Sequence, residues 1–316
     1  MSRKLAVVAI GGNALIPDPA RMSVHDQAEL MKDICASIAA IVRSGWRVVV
    51  THGNGPQVGM VMRRSELAAL EVPALSLDYA GADLQGGIGY MFARGLRNEF
   101  DRLGMRTQAA ALITQVVVDA GDPAFASPSK PVGSWMEESE ARRLAGELGW
   151  TVAEDSGRGW RRLVPSPAPR SIVELPSILR LVESETVVVA CGGGGVPVVR
   201  RDNGGLEGVE AVIDKDFSSV VLARGLGADT LVLATGVDRV AFDFNTPRQR
   251  FVDRLTVAQA RRACAEGQFA AGSMLPKIRA LIDFVENGGT GIVTSVSNLA
   301  QSLTGRTGTR IVANDA

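Results

Sequence analysis

The chain has few cysteines, few aromatic residues and no excess of charge of either sign. Its three cysteines are far apart and form no Cys-x-x-Cys pair, which argues against a disulfide framework or a zinc site. Lys plus Arg and Asp plus Glu both number 34, so no overall positive field attracts nucleic acid or an anionic membrane. No run of 18 apolar residues occurs, and we expect no export signal. These absences predict a cytoplasmic protein with neither nucleic-acid nor membrane partners.

Short apolar runs alternate with amphipathic segments along the chain. The runs predict buried strands, and they are Leu5–Ile10, Arg47–Thr51, Ala110–Thr114, Thr186–Ala190, Thr230–Thr235, Gly291–Thr294 and Thr309–Ala313. Helices are predicted after a capping box of Ser23 and Asp26, and over Glu137–Leu148, Leu255–Glu266 and Pro276–Glu286. Cys35 and Cys191 fall within apolar patterns and are predicted to be core residues. The alternation predicts an α/β fold with a mainly parallel central sheet covered by helices on both faces.

Residues 119–170 depart from this alternation. They contain six prolines around one predicted helix and one predicted hairpin. We interpret this region as a small subdomain that protrudes from the main sheet, with a plain structured loop as the alternative.

Three predicted strands end directly in glycine-rich turns. These turns are Gly11-Gly12-Asn13, His52-Gly53-Asn54-Gly55-Pro56 and Gly192-Gly193-Gly194-Gly195. Ligands of parallel sheets bind beyond the carboxyl ends of the strands, and glycine lets backbone N–H groups approach an anion. The three turns together predict a shared phosphate or carboxylate site, although any one of them could be an ordinary turn. His52 either contacts the ligand or positions its own turn.

The common signatures of nucleotide-binding and hydrolytic enzymes are missing. No Gly-x-x-x-x-Gly-Lys-[Ser/Thr] sequence is present, and neither a protein-kinase set of loops nor a Ser-His-Asp arrangement is recognisable. Any nucleotide site must therefore be built differently from a P-loop.

Lysine is rare in this arginine-rich sequence, and three of the five lysines have distinctive neighbours. Lys130 precedes a proline, Lys215 lies between Asp214 and Asp216, and Lys277 begins a predicted helix. Phosphoryl transfer needs compact cations around the phosphoryl oxygens, which lysine provides. Asp214 either orients Lys215 or accepts a hydrogen bond from a bound group. The alternative is three solvated surface lysines.

Ordered motifs over nearly the whole chain resemble those of carbamate kinases, in the amino acid kinase family. The motifs are Ala9–Ala14, Thr51–Gly59, Val118-Asp119, Asp122–Phe125, Lys130–Gly133, Glu154-Asp155, Gly157–Gly159, Arg161-Arg162, Pro165–Pro167, Gly192–Pro197, Gly208–Asp216 and Gly272–Lys277. The resemblance implies a three-layer α/β/α sandwich with an acceptor lobe over residues 1–209, including the subdomain at 119–170, and a nucleotide-binding lobe over residues 210–316.

The resemblance also implies an activity, namely reversible phosphoryl transfer between ATP and carbamate with Mg²⁺, by a homodimer acting in arginine metabolism. The implied catalytic residues are Lys130, Asp214, Lys215 and Lys277. The implied substrate-binding residues are Gly11, Gly12, Asn13, Gly53, Asn54 and Gly55. The implied nucleotide-binding residues are Thr235, Asp238, Gly272, Met274 and Pro276, together with Lys215 and Lys277. We assign no metal ligand to the protein, because the ATP or ADP phosphates would hold most of the coordination sphere of Mg²⁺.

Several positions depart from the family pattern: Asp83-Leu84 before Gln85-Gly86, Val116 after Thr114-Gln115, and Ser134-Trp135-Met136 after Gly133. Lost hydroxyl groups and an added acid are either neutral changes around the site or the mark of a kinase that acts on a different small carboxylate or carbamate-like acceptor. A third hypothesis is a non-catalytic nucleotide-binding regulator, which has no need of Lys130, Lys215 and Lys277 together.

Overall fold

The computed structural model describes residues 3–16, 23–155 and 157–314. Their strands are β1 (Leu5–Ile10), β2 (Arg47–His52), β3 (Ala109–Ala111), β4 (Gln115–Val118), β5 (Lys130–Met136), β6 (Thr151–Glu154), β7 (Trp160–Val164), β8 (Pro169–Ile172), β9 (Val187–Val189), β10 (Val196–Arg200), β11 (Leu206–Gly208), β12 (Thr230–Thr235), β13 (Val240–Phe242), β14 (Arg250–Val252), β15 (Arg254–Thr256), β16 (Thr290–Ser295) and β17 (Thr309–Val312). Their α-helices are α1 (Val24–Arg43), α2 (Gly55–Ala68), α3 (Leu77–Arg102), α4 (Glu138–Leu148), α5 (Leu175–Glu183), α6 (Lys215–Gly225), α7 (Val257–Ala265), α8 (Met274–Glu286) and α9 (Leu299–Leu303).

An eight-stranded sheet in the order β15-β17-β16-β12-β1-β2-β9-β3 forms the centre of the molecule. Its neighbouring strands are parallel except for the antiparallel pair β16–β17. Every residue of β1 is buried, as expected for a strand covered on both faces. The predicted mainly parallel sheet is confirmed.

The two faces of this sheet bury separate hydrophobic cores. Leu5, Val7 and Ala9 of β1 belong to a core that includes residues of α5, α6, α7 and α8. Ala6, Val8 and Ile10, which point to the other face, belong to a core with residues of α1 and α3. The three-layer α/β/α arrangement is therefore confirmed.

The two cysteines predicted to be core residues are buried, and both carry free thiols. Burial raises the pKa of Cys35 to about 12, with a smaller contribution from Glu99. Burial also raises the pKa of Cys191. Both thiols stay protonated at neutral pH, so they act as small apolar side chains.

Local sequence signals located several helix ends correctly. Ser23 and Asp26 form the predicted capping box at the start of α1, with Asp26 N donating to Ser23 Oγ at 3.1 Å. The helix predicted over Leu255–Glu266 begins later, because Leu255 lies in β15 and Thr256 caps α7.

Helix α3 was not predicted, because its glycines lower the apparent helix propensity. Two of them allow close packing instead. A Cβ on Gly89 would lie 2.7 Å from Ala111 Cβ, and a Cβ on Gly95 would lie 2.7 Å from Cys35 Sγ. Helix α2 was also missed, since its first residues Gly55 and Pro56 belong to a glycine-rich turn, and helix α6 was not predicted either.

Residues 119–170 form a compact excursion rather than a plain loop. Strands β5, β7 and β6 make a three-stranded antiparallel sheet, and α4 packs beside it. The predicted hairpin is β6–β7, and the predicted helix is α4 with Glu137 at its N-cap. We refer to the β5–β7–β6 sheet with α4 as the subdomain.

A second sheet in the order β11-β10-β4-β8 connects the subdomain to the main body. In the main sheet, β1 and β12 are the neighbours at which strands from the first 209 residues meet strands from the later residues. The lobe boundary near residue 209 stays a prediction. Among the described residues, no helix has the length and apolar character that a membrane span requires.

Candidate functional site

The first two glycine turns meet where β1 and β2 end side by side. Ile10 pairs with His52 in register, and Gly53 N donates to Ile10 O at 2.9 Å. A Cβ on Gly53 would lie only 2.7 Å from Gly12 N, which no ordinary side chain tolerates. Glycine at position 53 is therefore required for the two turns to approach each other. Gly11 N donates to Ala234 O at 3.0 Å and joins the end of β12 to the same edge.

The third glycine turn lies against the second. Gly193, Gly194 and Gly195 all have positive φ angles, between 66° and 97°. A Cβ on Gly193 would lie 2.3 Å from Asn54 Nδ2, and one on Gly194 would lie 2.2 Å from Ile213 O. The predicted convergence of three turns is thus observed, and close backbone approach explains the run of glycines.

The N-terminus of α2 opens onto this edge of the sheet. Asn54 occupies the N-cap position and Gly55 begins the helix, with Pro56 next. No side chain of the described residues accepts a hydrogen bond at this cap, so the first N–H groups of a 14-residue helix favour an anion. Asn13 lies in the short 3₁₀ turn Gly12–Ala14, and its side chain is outside the described part of the structure.

His52 is a buried positioning residue. Its Nδ1 lies 3.1 Å from Gly53 O, and its ring stacks on Phe92 with centroids 5.7 Å apart. A Cβ on Gly192 would lie 2.4 Å from His52 Nε2. Burial lowers the pKa of His52 to about 4, opposed by the bond to Gly53 and assisted by the charge of Lys215. The neutral imidazole therefore fills the space between the second and third turns.

The charged centre of the site is Asp216, which binds two of the three distinctive lysines. Lys215 Nζ lies 2.5 Å from Asp216 Oδ1, and Lys277 Nζ lies 2.7 Å from Asp216 Oδ2. The side chains of Asp216, Lys215 and Lys277 are 3%, 10% and 17% exposed. Burial raises the pKa of Asp216, but the two lysines outweigh it and lower the pKa to about 2. We call these three residues the lysine–aspartate triad.

This arrangement corrects the expected partner of Lys215. Asp214 was a candidate to orient Lys215, but the ion pair of Lys215 is with Asp216. Asp214 caps α6 instead, since its Oδ1 accepts from Asp216 N at 3.0 Å. The signal was present in the Asp-Lys-Asp sequence, where both neighbours of Lys215 are acids. Because Asp214 and Asp216 both neighbour Lys215 in the sequence, their positions did not indicate which of them is buried.

Lys130 reaches the site from the subdomain. Its Nζ lies 3.0 Å from Asp214 Oδ2, and the two side chains are 44% and 23% exposed. All three distinctive lysines therefore contact one of the two acids that flank residue 215. The alternative of three solvated surface lysines does not describe Lys215 or Lys277.

The lysine–aspartate triad is fixed against the glycine turns. Lys215 Cδ would lie 3.4 Å from a Cβ on Gly53, so the stem of this lysine crosses the second turn. Thr51 Oγ1 lies 2.7 Å from Ser219 Oγ, and Ser219 Oγ donates to Lys215 O at 2.6 Å. These contacts join the end of β2 to the first turn of α6.

The predicted nucleotide-binding residues occupy two places near the triad. Thr235 ends β12 at the carboxyl edge of the sheet, and Asp238 follows it and accepts from Asn298 Nδ2 at 2.7 Å. The other residues surround the start of α8: Gly272 precedes the helix, Met274 begins it, and Pro276 and Lys277 lie in its first turn. Lys277 connects this second place to Lys215 through Asp216.

The positions that depart from the family pattern differ in burial. Asp83 is exposed on α3, whereas Leu84 is partly buried against the hydrophobic core. Val116 is fully buried, and its Cγ2 would lie 2.2 Å from a Cβ on Gly195. Ser134 lines a small cavity between α2 and the subdomain. Val116 is therefore the departure closest to a glycine turn.

No cluster of three or more His, Cys, Asp or Glu side chains in the described ranges has the geometry of a metal site. Asp216 already neutralises two lysines, and Asp214 binds Lys130. A magnesium ion that arrives bound to nucleotide phosphates fits this set of residues, because Mg²⁺ commonly takes only one or two protein carboxylates.

Glycine turns, an open helix N-terminus and two largely buried lysines at the carboxyl edge of a parallel sheet define an α/β site for phosphoryl groups. The chain belongs to the amino acid kinase family, whose sequence model matches residues 4–295.

Similar proteins agree with this assignment over the full length of the chain. The chain is 45% identical to a carbamate kinase-like protein of Escherichia coli, covering 98% of this chain and 99% of that protein. It is 44% identical to a carbamate kinase of Thermococcus kodakarensis, with the same coverage. A solved carbamate kinase of Giardia lamblia bound to AMP-PNP superposes with a TM-score of 0.94 at 38% identity, covering 99% of this chain and 100% of that structure.

Proposed function

We propose that the protein is a carbamate kinase that transfers a phosphoryl group between ATP and carbamate, giving ADP and carbamoyl phosphate in the reversible reaction. The observation that carries this proposal is Lys215, whose stem crosses the Gly53 turn while its ammonium group binds Asp216 beside Lys277. One residue thereby connects the anion-binding turns to the charged centre. The similarity to carbamate kinases over 98% of the chain supports the choice of acceptor.

The roles follow from position and charge. Backbone N–H groups of the Gly11–Gly12 and Gly53–Asn54 turns would hold the carbamoyl phosphate end, beside Asn13 and Gly55. Lys215 and Lys277 would neutralise the oxygens of the transferring phosphoryl group, because fixed cations stabilise charge that develops there. Asp216 would keep both ammonium groups in place. Lys130, held by Asp214, would reach the acceptor from the subdomain.

The nucleotide would lie between the end of β12 and the start of α8. Thr235, Asp238, Gly272, Met274 and Pro276 would surround it. The solved carbamate kinase of Giardia lamblia is bound to AMP-PNP, which is a nucleotide of the kind proposed here. Mg²⁺ bound together with the nucleotide would neutralise part of the phosphate charge.

We further propose a division into an acceptor lobe up to residue 209 and a nucleotide lobe after it, a homodimer, and a cytoplasmic role in arginine metabolism. The three free cysteines are compatible with a reducing compartment. Tyr79 and Tyr90 are exposed and three helical turns apart on α3, so they lie on one side of the helix, where a second copy would find an aromatic surface.

A coupled assay of ATP formation from ADP and carbamoyl phosphate tests the proposed activity. We expect steady turnover that depends on both substrates and on Mg²⁺. Turnover with acetyl phosphate or another acyl phosphate, but not with carbamoyl phosphate, would instead support a kinase that acts on a different small acceptor. Val116 would then be the first residue to test as the cause of the changed specificity. Binding of ADP without any turnover would support the hypothesis of a non-catalytic nucleotide-binding regulator.

A further inference from the structure

Some of the motifs that resemble the family pattern have no role in the site described above. Arg161-Arg162, Pro165–Pro167 and Gly208–Glu210 match the family pattern, yet none was assigned to substrate or nucleotide. In the structure, residues from these motifs meet where the subdomain contacts residues 209–214. This segment leads directly into Lys215 and the lysine–aspartate triad.

One face of the subdomain provides this contact. Lys130 pairs with Val164 across β5 and β7, and Val132 pairs with Arg162. Residues two apart on a strand point the same way, so these four side chains share one face, which we call the docking face. Val132 and Val164 are buried in a small hydrophobic cluster with Val58, Met62, Leu77 and Ala80 of α2 and α3.

The docking face and the residue after β7 hold the 209–214 segment at three points. Arg162 Nη2 donates to Glu210 Oε2 at 2.8 Å. Val212 N donates to Pro165 O at 3.0 Å. Lys130 Nζ lies 3.0 Å from Asp214 Oδ2. The subdomain thus contacts alternate residues of the segment up to the N-cap of α6.

Glu210 connects the subdomain to a third element. While its Oε2 accepts from Arg162, its Oε1 accepts from Leu77 N at 2.7 Å, at the start of α3. Arg162 is 18% exposed, and its guanidinium lies 4.9 Å from the ring centroid of Trp150. Stacking on Trp150 limits the rotamers of Arg162, so that less entropy is lost when it binds Glu210.

We infer that Arg162 and Glu210 are positioning residues that dock the subdomain and thereby set the reach of Lys130 over the acceptor. This inference rests on the proposed function. Neither residue touches the reacting groups. Their pair lies at one end of the docking face and the Lys130–Asp214 pair at the other, with the hydrophobic cluster between them. Loss of the first pair lets the subdomain tilt about that cluster, which moves Lys130.

The test uses the full-length protein and four variants. Arg162→Ala removes the cation. Glu210→Gln removes the charge but keeps an oxygen that accepts from Leu77 N. The double variant combines both changes. Arg142→Ala is the matched control, because Arg142 stacks on Trp160 at 5.1 Å and binds Glu138, and these partners all lie within the subdomain.

We expect Arg162→Ala and Glu210→Gln each to raise the KM for carbamoyl phosphate roughly tenfold, because small displacements of a positioned group are costly. The Kd for ADP should stay within about twofold of wild type, since the nucleotide site lies outside the docking face. The double variant should match the more affected single variant, as expected for two residues that act through one pair. Arg142→Ala should resemble wild type.

A measurement without substrates accompanies the kinetics. The amide of Val212 reports docking directly, because its hydrogen bond crosses to Pro165 O. Its hydrogen exchange should speed up roughly tenfold in Arg162→Ala and Glu210→Gln but not in Arg142→Ala.

Three results would overturn the inference: an unchanged KM in Glu210→Gln, effects that multiply in the double variant, or an equal change in Arg142→Ala. The proposed function fails separately, when the wild-type protein gives no turnover of carbamoyl phosphate. In that case faster Val212 exchange in both single variants would still support docking by the pair, and unchanged exchange would contradict it.

Discussion

The two carboxylates on either side of Lys215 belong to different kinds of ion pair. Asp216 is almost fully buried and binds two largely buried lysines on the main body of the molecule. Asp214 is partly exposed and binds Lys130, whose side chain is 44% exposed and comes from the subdomain. The first arrangement is fixed by packing, whereas water can compete for the second. The site therefore combines a rigid charged centre with one cation on an attached, weakly held element.

This difference has an energetic basis. Removing one partner of a buried ion pair leaves uncompensated charge and costs about 3–5 kcal/mol, whereas exposed pairs contribute about 0–1 kcal/mol. Asp216 is thus a structural requirement of the site. The contact between Lys130 and Asp214 can break and re-form without a large free-energy cost, which suits the role proposed for Lys130.

The largest expected effect concerns charge in the lysine–aspartate triad. Lys215→Ala and Lys215→Met should both lower kcat by about 10³-fold, because each removes the cation that we propose stabilises the transferring phosphoryl group. Lys215→Met keeps an apolar stem against Gly53, so it separates lost charge from lost packing. Assays of ATP formation with both variants measure the effect.

The fold of both variants should survive, because Asp216 retains Lys277. Circular dichroism and gel filtration provide the control. Near-normal activity in Lys215→Met would contradict a role for the ammonium group.

How far the sequence could predict this site depends on the type of signal. Strand ends followed by glycines placed Gly11, Gly12 and Gly53 correctly, because a parallel sheet brings its carboxyl ends to one edge. The burial of the two acids beside Lys215 could not be derived from the sequence, so Asp214 was favoured over Asp216 as the partner of Lys215. Adjacent residues at the start of a helix point in different directions, and only packing decides which of them faces the core.

Helix α3 was missed because its packing partners are also distant in the sequence. Propensity is a local quantity, and five glycines between Gly81 and Gly95 make this segment look unlike a helix. Two of these glycines allow α3 to pack closely against residues that are distant in the sequence, such as Ala111 and Cys35, and no local pattern reveals such contacts. The subdomain was predicted as an excursion from its prolines, but its docking on residues 209–214 depends on pairs more than 40 residues apart, such as Arg162 and Glu210.

The second prediction compares the two acids by the same substitution. Asp216→Asn should lower the free energy of unfolding by about 3 kcal/mol, because Lys215 and Lys277 lose their shared counter-charge in a buried site. Asp214→Asn keeps an N-cap acceptor for Asp216 N and should cost less than about 1 kcal/mol. Urea denaturation at pH 7 measures both. Equal losses would show that the two ion pairs do not differ as described.

The third prediction tests the buried neutral state of His52 on the rigid side of the site. Its pKa is about 4 in the folded protein and about 6.5 when unfolded, so the unfolded state binds more protons as the pH falls below 6.5. We expect His52 to reduce stability by about 2 kcal/mol between pH 7 and pH 5, and by little more below pH 4.

Denaturation series at several pH values measure this slope. His52→Gln should flatten it between pH 7 and pH 5, whereas His25→Gln should leave it unchanged, since His25 is exposed near the start of α1. Asp216 contributes in a lower range: its depressed pKa stabilises the protein above about pH 4, and this stability is lost as the pH falls towards 2. A slope that persists in His52→Gln would assign the effect to another group.

The smallest expected effect on stability is that of Lys130→Ala, on the weakly held side. Its ion pair with Asp214 is partly exposed, so the free energy of unfolding should change by less than about 1 kcal/mol. The KM for carbamoyl phosphate should nevertheless rise roughly tenfold, because the acceptor loses a positioned cation. Lys32→Ala is the matched control, as Lys32 forms an exposed pair with Glu29 on α1. A large stability loss with an unchanged KM would make Lys130 a structural residue and remove the contrast between the rigid and the attached parts of the site.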